Sequence, residues 1–414
     1  MLDGSMRGLS SPLRFRGALC ALALVNACSA PIDSASTSDV ARGQRYDESE
    51  SFRREALIAS LENPDNGYSQ LRLERYRAEQ WEALPIWDPA VRVVSEADTA
   101  GPAPRSGFTA LEIDGVPWEE GPLLELGRRA FYEYPVQIMP LTAVALHDVG
   151  APAQYGLWNA EDRLGGLVWT TLPGNRVSLS VTCSTCHSSA RDGQLVTGKN
   201  NARIDFGLMA SDFGGGAANL AWGPGRLDVT NDESDNPVAI ADLRPIRFQK
   251  HLQRAATVKN DLIALAIRTE TLIITSLGQT VRPPRKLAFA IALFLWRFPS
   301  APVRSGDESS EAGARVFEQR CASCHQPDDY SGPPVALDVI GTDPLVGESN
   351  ERGTGTYRVP SLRGVGDRTP LFASGSVRDL TELLDPARAA SGHPFGLDLD
   401  ASQRDDLLHF LETL

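Results

Sequence analysis

Two five-residue segments of this sequence have the residue types and spacing to do chemistry. Cys183-Ser184-Thr185-Cys186-His187 and Cys321-Ala322-Ser323-Cys324-His325 share the pattern C-x-x-C-H. Two cysteines three positions apart on a turn of helix can both form thioethers with the vinyl groups of one porphyrin. The histidine that follows then lies under the iron and binds it as the proximal ligand. The spacing predicts two covalently bound haem c groups, ligated by His187 and His325. The intervening residues are small in both segments, which suits close packing of helix on porphyrin. The run from Gly313 to Arg320 predicts a helix entering the second segment, with Val316 and Phe317 on its haem side.

Two other chemistries use paired cysteines. Zinc ribbons bring two C-x-x-C pairs within roughly 15–20 residues of each other, whereas 134 residues lie between Cys186 and Cys321. A thiol redox motif has no need of histidine at the next position, still less twice. The chain has six cysteines. Cys20 falls in an apolar leader and Cys28 at its end, so no pair is left for a structural disulfide.

The sixth ligand decides whether a haem iron only passes electrons or also binds a small molecule. Beyond the two motifs the histidines are His147, His251, His393 and His409, and beyond the leader the methionines are Met139 and Met209. Leu407, Leu411 and Leu414 define the apolar face of a helix over 401–414, and His409 points away from it. His393 sits in Gly392-His393-Pro394-Phe395-Gly396, inside the second unit and with no methionine nearby. It is expected to be the second axial ligand of that iron, which makes the centre six-coordinate and low-spin. For the first iron, His147, His251 (on a helix expected over Ile246, Phe248 and Leu252) and Met209 read as structural. That iron is expected to be open or to hold water.

The elements around these segments follow from pattern. Arg7, Arg14 and Arg16 precede an apolar run from Gly17 to Ala27, and Leu24 to Cys28 resembles a lipoprotein cleavage site with Asn26 an imperfect fit. Residues 1–28 thus read as a signal peptide, with lipidation at Cys28, and place the protein in the periplasm or cell envelope. Residues 29–50 are polar and read as a flexible tether. Residues 51–155 form an N-terminal, partly helical extension, broken by the turn Asn63 to Gly67. A first haem unit spans 156–300 and a second 306–414, with a Pro/Ser/Asp linker near 299–310. The fold class expected is mainly α. Leu287 to Trp296 is too short to cross a bilayer and reads as a core helix. The formal net charge of −13 excludes nucleic acid, whose phosphates need clustered Lys and Arg. It suits a small basic electron carrier as partner. The membrane is reached only through the lipid at Cys28.

The stretch from Arg358 to Val377, with Val359-Pro360-Ser361-Leu362-Arg363 and Pro370-Leu371-Phe372, resembles the signature of the bacterial di-haem cytochrome c peroxidase superfamily. The resemblance covers 299–414. It implies two cytochrome c-like units and a role for Arg363 in pairing with a haem propionate. Gly364, Leu371, Ala373 and Ser374 stand where that signature has Asn, Tyr, His and Asp, which puts ordinary peroxidase activity in doubt. The long segment before the first motif and Trp222 to Asp228 are similar to the rubber-oxygenase branch. That likeness implies oxygen binding at the first haem and two histidines on the second. The expectation is a di-haem oxidoreductase, peroxidase- or oxygenase-like, with Trp169 and Trp222 as candidate aromatics that read more simply as core. The alternatives are a plain membrane-tethered electron carrier with both irons six-coordinate, or a subunit of a larger complex.

Overall fold

The computed structural model describes residues 38–78, 80–228, 235–299 and 308–414. The leader with Cys28 and most of the linker lie outside the described residues. The first three helices are α1 (Asp39–Glu48), α2 (Glu50–Ser60) and α3 (Gly67–Arg77). Ser38, Ser49 and Asn66 cap them, each side chain accepting a backbone N–H of the first turn, as N-cap residues do. The tether expected to reach residue 50 therefore stops short of Asp39. Its composition is polar, but α1 turns Gly43 and Tyr46 inward, and Tyr46 is fully buried.

A four-stranded antiparallel sheet follows, made of β1 (Val91–Val93), β2 (Gln137–Ile138), β3 (Leu167–Leu172) and β4 (Arg176–Val181), in the order β1-β3-β4-β2. Helix α4 (Glu120–Glu133) lies between β1 and β2 in sequence. The β3–β4 hairpin runs in register from Leu167 opposite Val181 to Leu172 opposite Arg176. Strand β4 delivers the chain directly into α5 (Cys183–His187), the first C-x-x-C-H segment.

Helices α6 (Leu262–Ser276) and α7 (Arg285–Trp296) are almost wholly apolar on their inner faces. With α1 to α4 they build one hydrophobic core. Helix α4 crosses α7 at Gly127, where a Cβ would stand 2.1 Å from the carbonyl oxygen of Ala290. The same core holds a buried ion network. Glu270 is fully buried and accepts from Tyr46 (2.6 Å), Tyr76 (3.1 Å) and Arg285 (3.1 Å). Glu82 joins it through Arg53 and Arg285, both at 2.7 Å.

The last unit of structure begins with α8 (Glu308–Arg320), continues through the strands β5 (Gly332–Ala336) and β6 (Thr356–Val359), and ends with α9 (Ala401–Thr413). Asp400 and Gln403 form a reciprocal capping box at the start of α9. Leu407 and Leu411 are buried against Phe317, and His409 is exposed. Helices α8 and α9 cross at Gly313, where a Cβ would stand 2.0 Å from the carbonyl oxygen of Asp406. Helix is about 42 % of the structure and strand 15 %, so the mainly α class holds.

Candidate functional site

The first motif is fixed from both sides. The hydroxyls of Thr182 and Thr185 both donate to the carbonyl of Gly166, at 2.9 and 2.8 Å. Gly166 has a left-handed backbone (φ +62°), and a Cβ there would lie 2.3 Å from Ser184 Oγ, so only glycine fits. Helix α5 lies between two hydrophobic cores. Cys183 packs on the helical core, and Cys186 packs on the sheet core around Leu164, Leu167 and Trp169. Nδ1 of His187 is hydrogen-bonded to the carbonyl of Ala241 at 2.8 Å. That bond fixes the ring and leaves Nε2 as the free nitrogen, the usual outer-shell arrangement of a metal-binding histidine.

The second motif repeats the pattern on a single turn after α8. The amide of His325 donates to the carbonyl of Cys321 at 2.9 Å. Nδ1 of His325 is bonded to the carbonyl of Tyr330 at 3.2 Å, again leaving Nε2. Cys321, Cys324 and His325 line a cavity of ≈ 200 Å³, partly open to solvent. One wall is apolar, with Phe317, Leu362, Val365, Leu380, Leu407 and Leu411. Val316 packs into the core behind Phe317.

His393 lines the same cavity. Its backbone is left-handed (φ +46°), as is that of Phe372 (φ +66°). Such strain in non-glycine residues persists where surrounding contacts over-determine it, and clusters at functional sites. Here the contacts are visible. The amide of His393 donates to Ile340 at 2.5 Å. Arg388 donates to the carbonyls of His393 (2.8 Å) and Gly392, and its guanidinium stacks over Phe372. The ring of His393 sits between Phe372 and Phe395, and its Nδ1 is buried without a hydrogen-bond partner among the described residues. Burial holds both imidazoles down to about 4, with the proximity of His325 adding to the effect at His393. Both rings are therefore neutral, the form that binds a metal.

The thiols differ from those of a redox motif, where the attacking cysteine is held low. Burial pushes Cys183 up to about 12 and Cys321 up to about 11. Among the described residues no three His, Cys, Asp or Glu side chains are grouped to hold a metal ion by themselves. An iron brought by a porphyrin needs only the axial histidines.

The other sequence candidates fall elsewhere. The expected helix around His251 ends after one turn, Ile246–Phe248. The chain then extends so that His251–Leu252 pairs with Val258–Lys259, and Nε2 of His251 is bonded to Glu62 at 3.2 Å. His147 is exposed and its Nδ1 is bonded to the Val144 carbonyl. Met209 is fully buried in the sheet core against which Cys186 packs, and Met139 lies in that core too. Trp169 is buried there, and its indole nitrogen has no hydrogen-bond partner among the described residues. Trp222 is half-buried and donates to Asp235 at 2.7 Å. Arg363 does not line the second cavity. It donates to the carbonyl of Asp328 at 3.1 Å and stacks over Phe248. Arg254, Arg358 and Arg368 do line it, and no spacing rule marked them.

Residues 310–414 match the family model for cytochrome c, a family whose members carry covalent haem c. The match covers the last quarter of the chain, including the second motif and His393. No match is found among curated proteins. Among solved structures, the chain is similar to a MauG-like protein associated with microbial copper homeostasis, at 17 % identity over 80 % of this chain and 94 % of that one, with a TM-score of 0.40. It is also similar to the hydrazine synthase of Kuenenia stuttgartiensis, at 14 % identity over 70 % of this chain and 92 % of that one, with a TM-score of 0.36.

Proposed function

We propose that the cytochrome c segment at 310–414 works beside a second haem c centre at Cys183, Cys186 and His187, and that the chain is an exported di-haem oxidoreductase. The observation that carries this reading is the pairing of His325 and His393 in the wall of one cavity, next to Cys321 and Cys324. Haem c supplies one-electron chemistry at its iron. At the second centre the neutral imidazoles of His325 and His393 would both hold the iron, which would then relay electrons and leave no place for a substrate. The strained loop at His393, tied down by Arg388 and Ile340, keeps the second ring in place.

The first centre is the reactive one in this account. Its proximal ring is oriented by the Ala241 carbonyl. His147 is exposed, and Nε2 of His251 is taken by Glu62. With neither as a ligand, an iron held by His187 would be open to peroxide, oxygen or an organic substrate and would exchange electrons with the second centre. A basic carrier protein suits the acidic surface. Export follows from the leader pattern at 7–28 and from the habit of the cytochrome c family. Lipid on Cys28 would hold the mature protein at the membrane.

A second reading has one observation in its favour. Met209 is buried in the core that Cys186 packs on, and a thioether there would make the first iron six-coordinate and the protein a plain electron carrier. Electron paramagnetic resonance of the ferric protein separates the two. One high-spin and one low-spin signal support the oxidoreductase. Two low-spin signals, one lost in Met209→Ala, support the carrier.

A further inference from the structure

We infer that Arg254, Arg358 and Arg368 form a carboxylate-binding cradle in the second cavity, which takes both haem propionates and leaves one guanidinium charge over to raise that haem's reduction potential. The inference rests on the proposed attachment of haem at Cys321 and Cys324.

The cavity wall carries four arginines and no aspartate or glutamate. Arg320 is paired with Asp398 at 3.0 Å. Arg254, Arg358 and Arg368 have no ion pair among the described residues. Burial, and then their mutual repulsion, push the Arg358 guanidinium down to about 9, and Arg254 is held at about 10. Arg368 feels Asp242 and Asp367, but both of those carboxylates are bound by Arg244, at 2.5 and 2.7 Å. All three are half-buried, and charge drawn away from water without a partner is costly, so three such cations lining one cavity call for an anion in it.

The cradle is built in advance. Arg254 donates to the carbonyls of Phe372 (3.1 Å) and Ala239 (2.6 Å). Arg368 donates to the carbonyls of Ser361 (2.6 Å) and Arg363. These bonds fix two of the guanidiniums. That of Arg358 makes no hydrogen bond among the described residues and is free to donate to a carboxylate. Phe317, Leu407 and Leu411 line the same cavity, which thus suits an apolar body that carries carboxylates. Two carboxylates against three cations leave one positive charge, which favours the reduced iron by Coulomb attraction in a site of low dielectric.

The test is a potentiometric titration of the holoprotein, following the low-spin electron paramagnetic resonance signal. Arg358→Gln is expected to lower the midpoint by at least tenfold in the reduction equilibrium, about 59 mV for one electron. Arg358→Lys should restore most of that shift, and should restore haem content where Arg358→Gln loses it. Arg363→Gln, outside the cavity, should leave the midpoint unchanged. A midpoint that moves with Arg363 and with none of the three overturns the cradle. A covalent haem count unaltered in the Cys321→Ala, Cys324→Ala double variant would show that no haem is attached there. That result removes the underlying reading, and the cradle with it.

Discussion

Replacing His393 by alanine removes the one imidazole that shares the second cavity with His325. The thioether cysteines are untouched, so the covalent haem count should stay the same. The low-spin ferric signal should give way to a high-spin one, and added imidazole should restore it. A low-spin signal that persists without imidazole would assign the ligand elsewhere. Arg388→Gln acts one step back, because Arg388 holds the carbonyls on either side of the His393 backbone turn. It should produce a mixture of the two spin states. At this scale the candidate residues were legible in the sequence, the two C-x-x-C-H segments by their spacing and His393 by its loop, and the structure places His393 in the cavity that His325 lines. The cradle arginines were not legible there. An arginine is marked as unusual only by its partial burial and lack of an ion pair, and its surroundings come from residues far apart in the chain, such as Ala239 and Phe372 around Arg254. Arg363 drew attention through its place in a signature, and its guanidinium points to Asp328 and Phe248 instead.

Between elements, the tightest constraint is the crossing of α8 and α9. Gly313→Ala would drive a methyl group into the Asp406 carbonyl and the Phe410 Cβ. Overpacking of this kind costs about 1–3 kcal/mol, and the midpoint of chemical denaturation should fall accordingly. A variant as stable as wild type would mean the helices can separate without loss. Helix α7 was legible from its apolar run, and α9 from the spacing of Leu407 and Leu411. The β3–β4 hairpin was passed over, although an apolar, β-branched run from Leu167 to Leu172 and an alternating one from Arg176 to Val181 flank Pro173-Gly174-Asn175, which is hairpin chemistry. Helix α1 was hidden by its polar composition, because Tyr46 is its one large apolar anchor. The helix expected around His251 failed for the opposite reason. Strand pairing with Val258–Lys259 overrode a local helical pattern.

Across the whole molecule, buried and bridging charges tie distant segments together. Glu270→Ala would leave Arg285, Tyr46 and Tyr76 short of a partner inside the helical core, at a cost of about 3–5 kcal/mol, readable as a loss of thermal stability. Asp367 links the C-terminal segment to Arg244 and Lys199. Burial alone would raise its carboxyl, but hydrogen bonds and charge from Arg244 and then Lys199 bring it down to about 2. A folded value below the unfolded one, about 3.9, gives stability that is present above the unfolded value and lost as pH falls towards the folded one. Wild type should therefore lose more stability than Asp367→Asn between about pH 5 and pH 2. The effect should be small, because the side chain is over a third exposed and water screens it. None of these ties was legible in advance, since all but Glu270–Arg285 join residues more than a hundred positions apart. Whether each C-x-x-C-H segment carries its own haem can be read from the intact mass of the denatured protein, expressed with haem-attachment machinery. The mass should exceed that of the bare chain by two haems, and by one when either cysteine pair is replaced by alanine; a gain of one or none in the unaltered protein would refute two attachment sites.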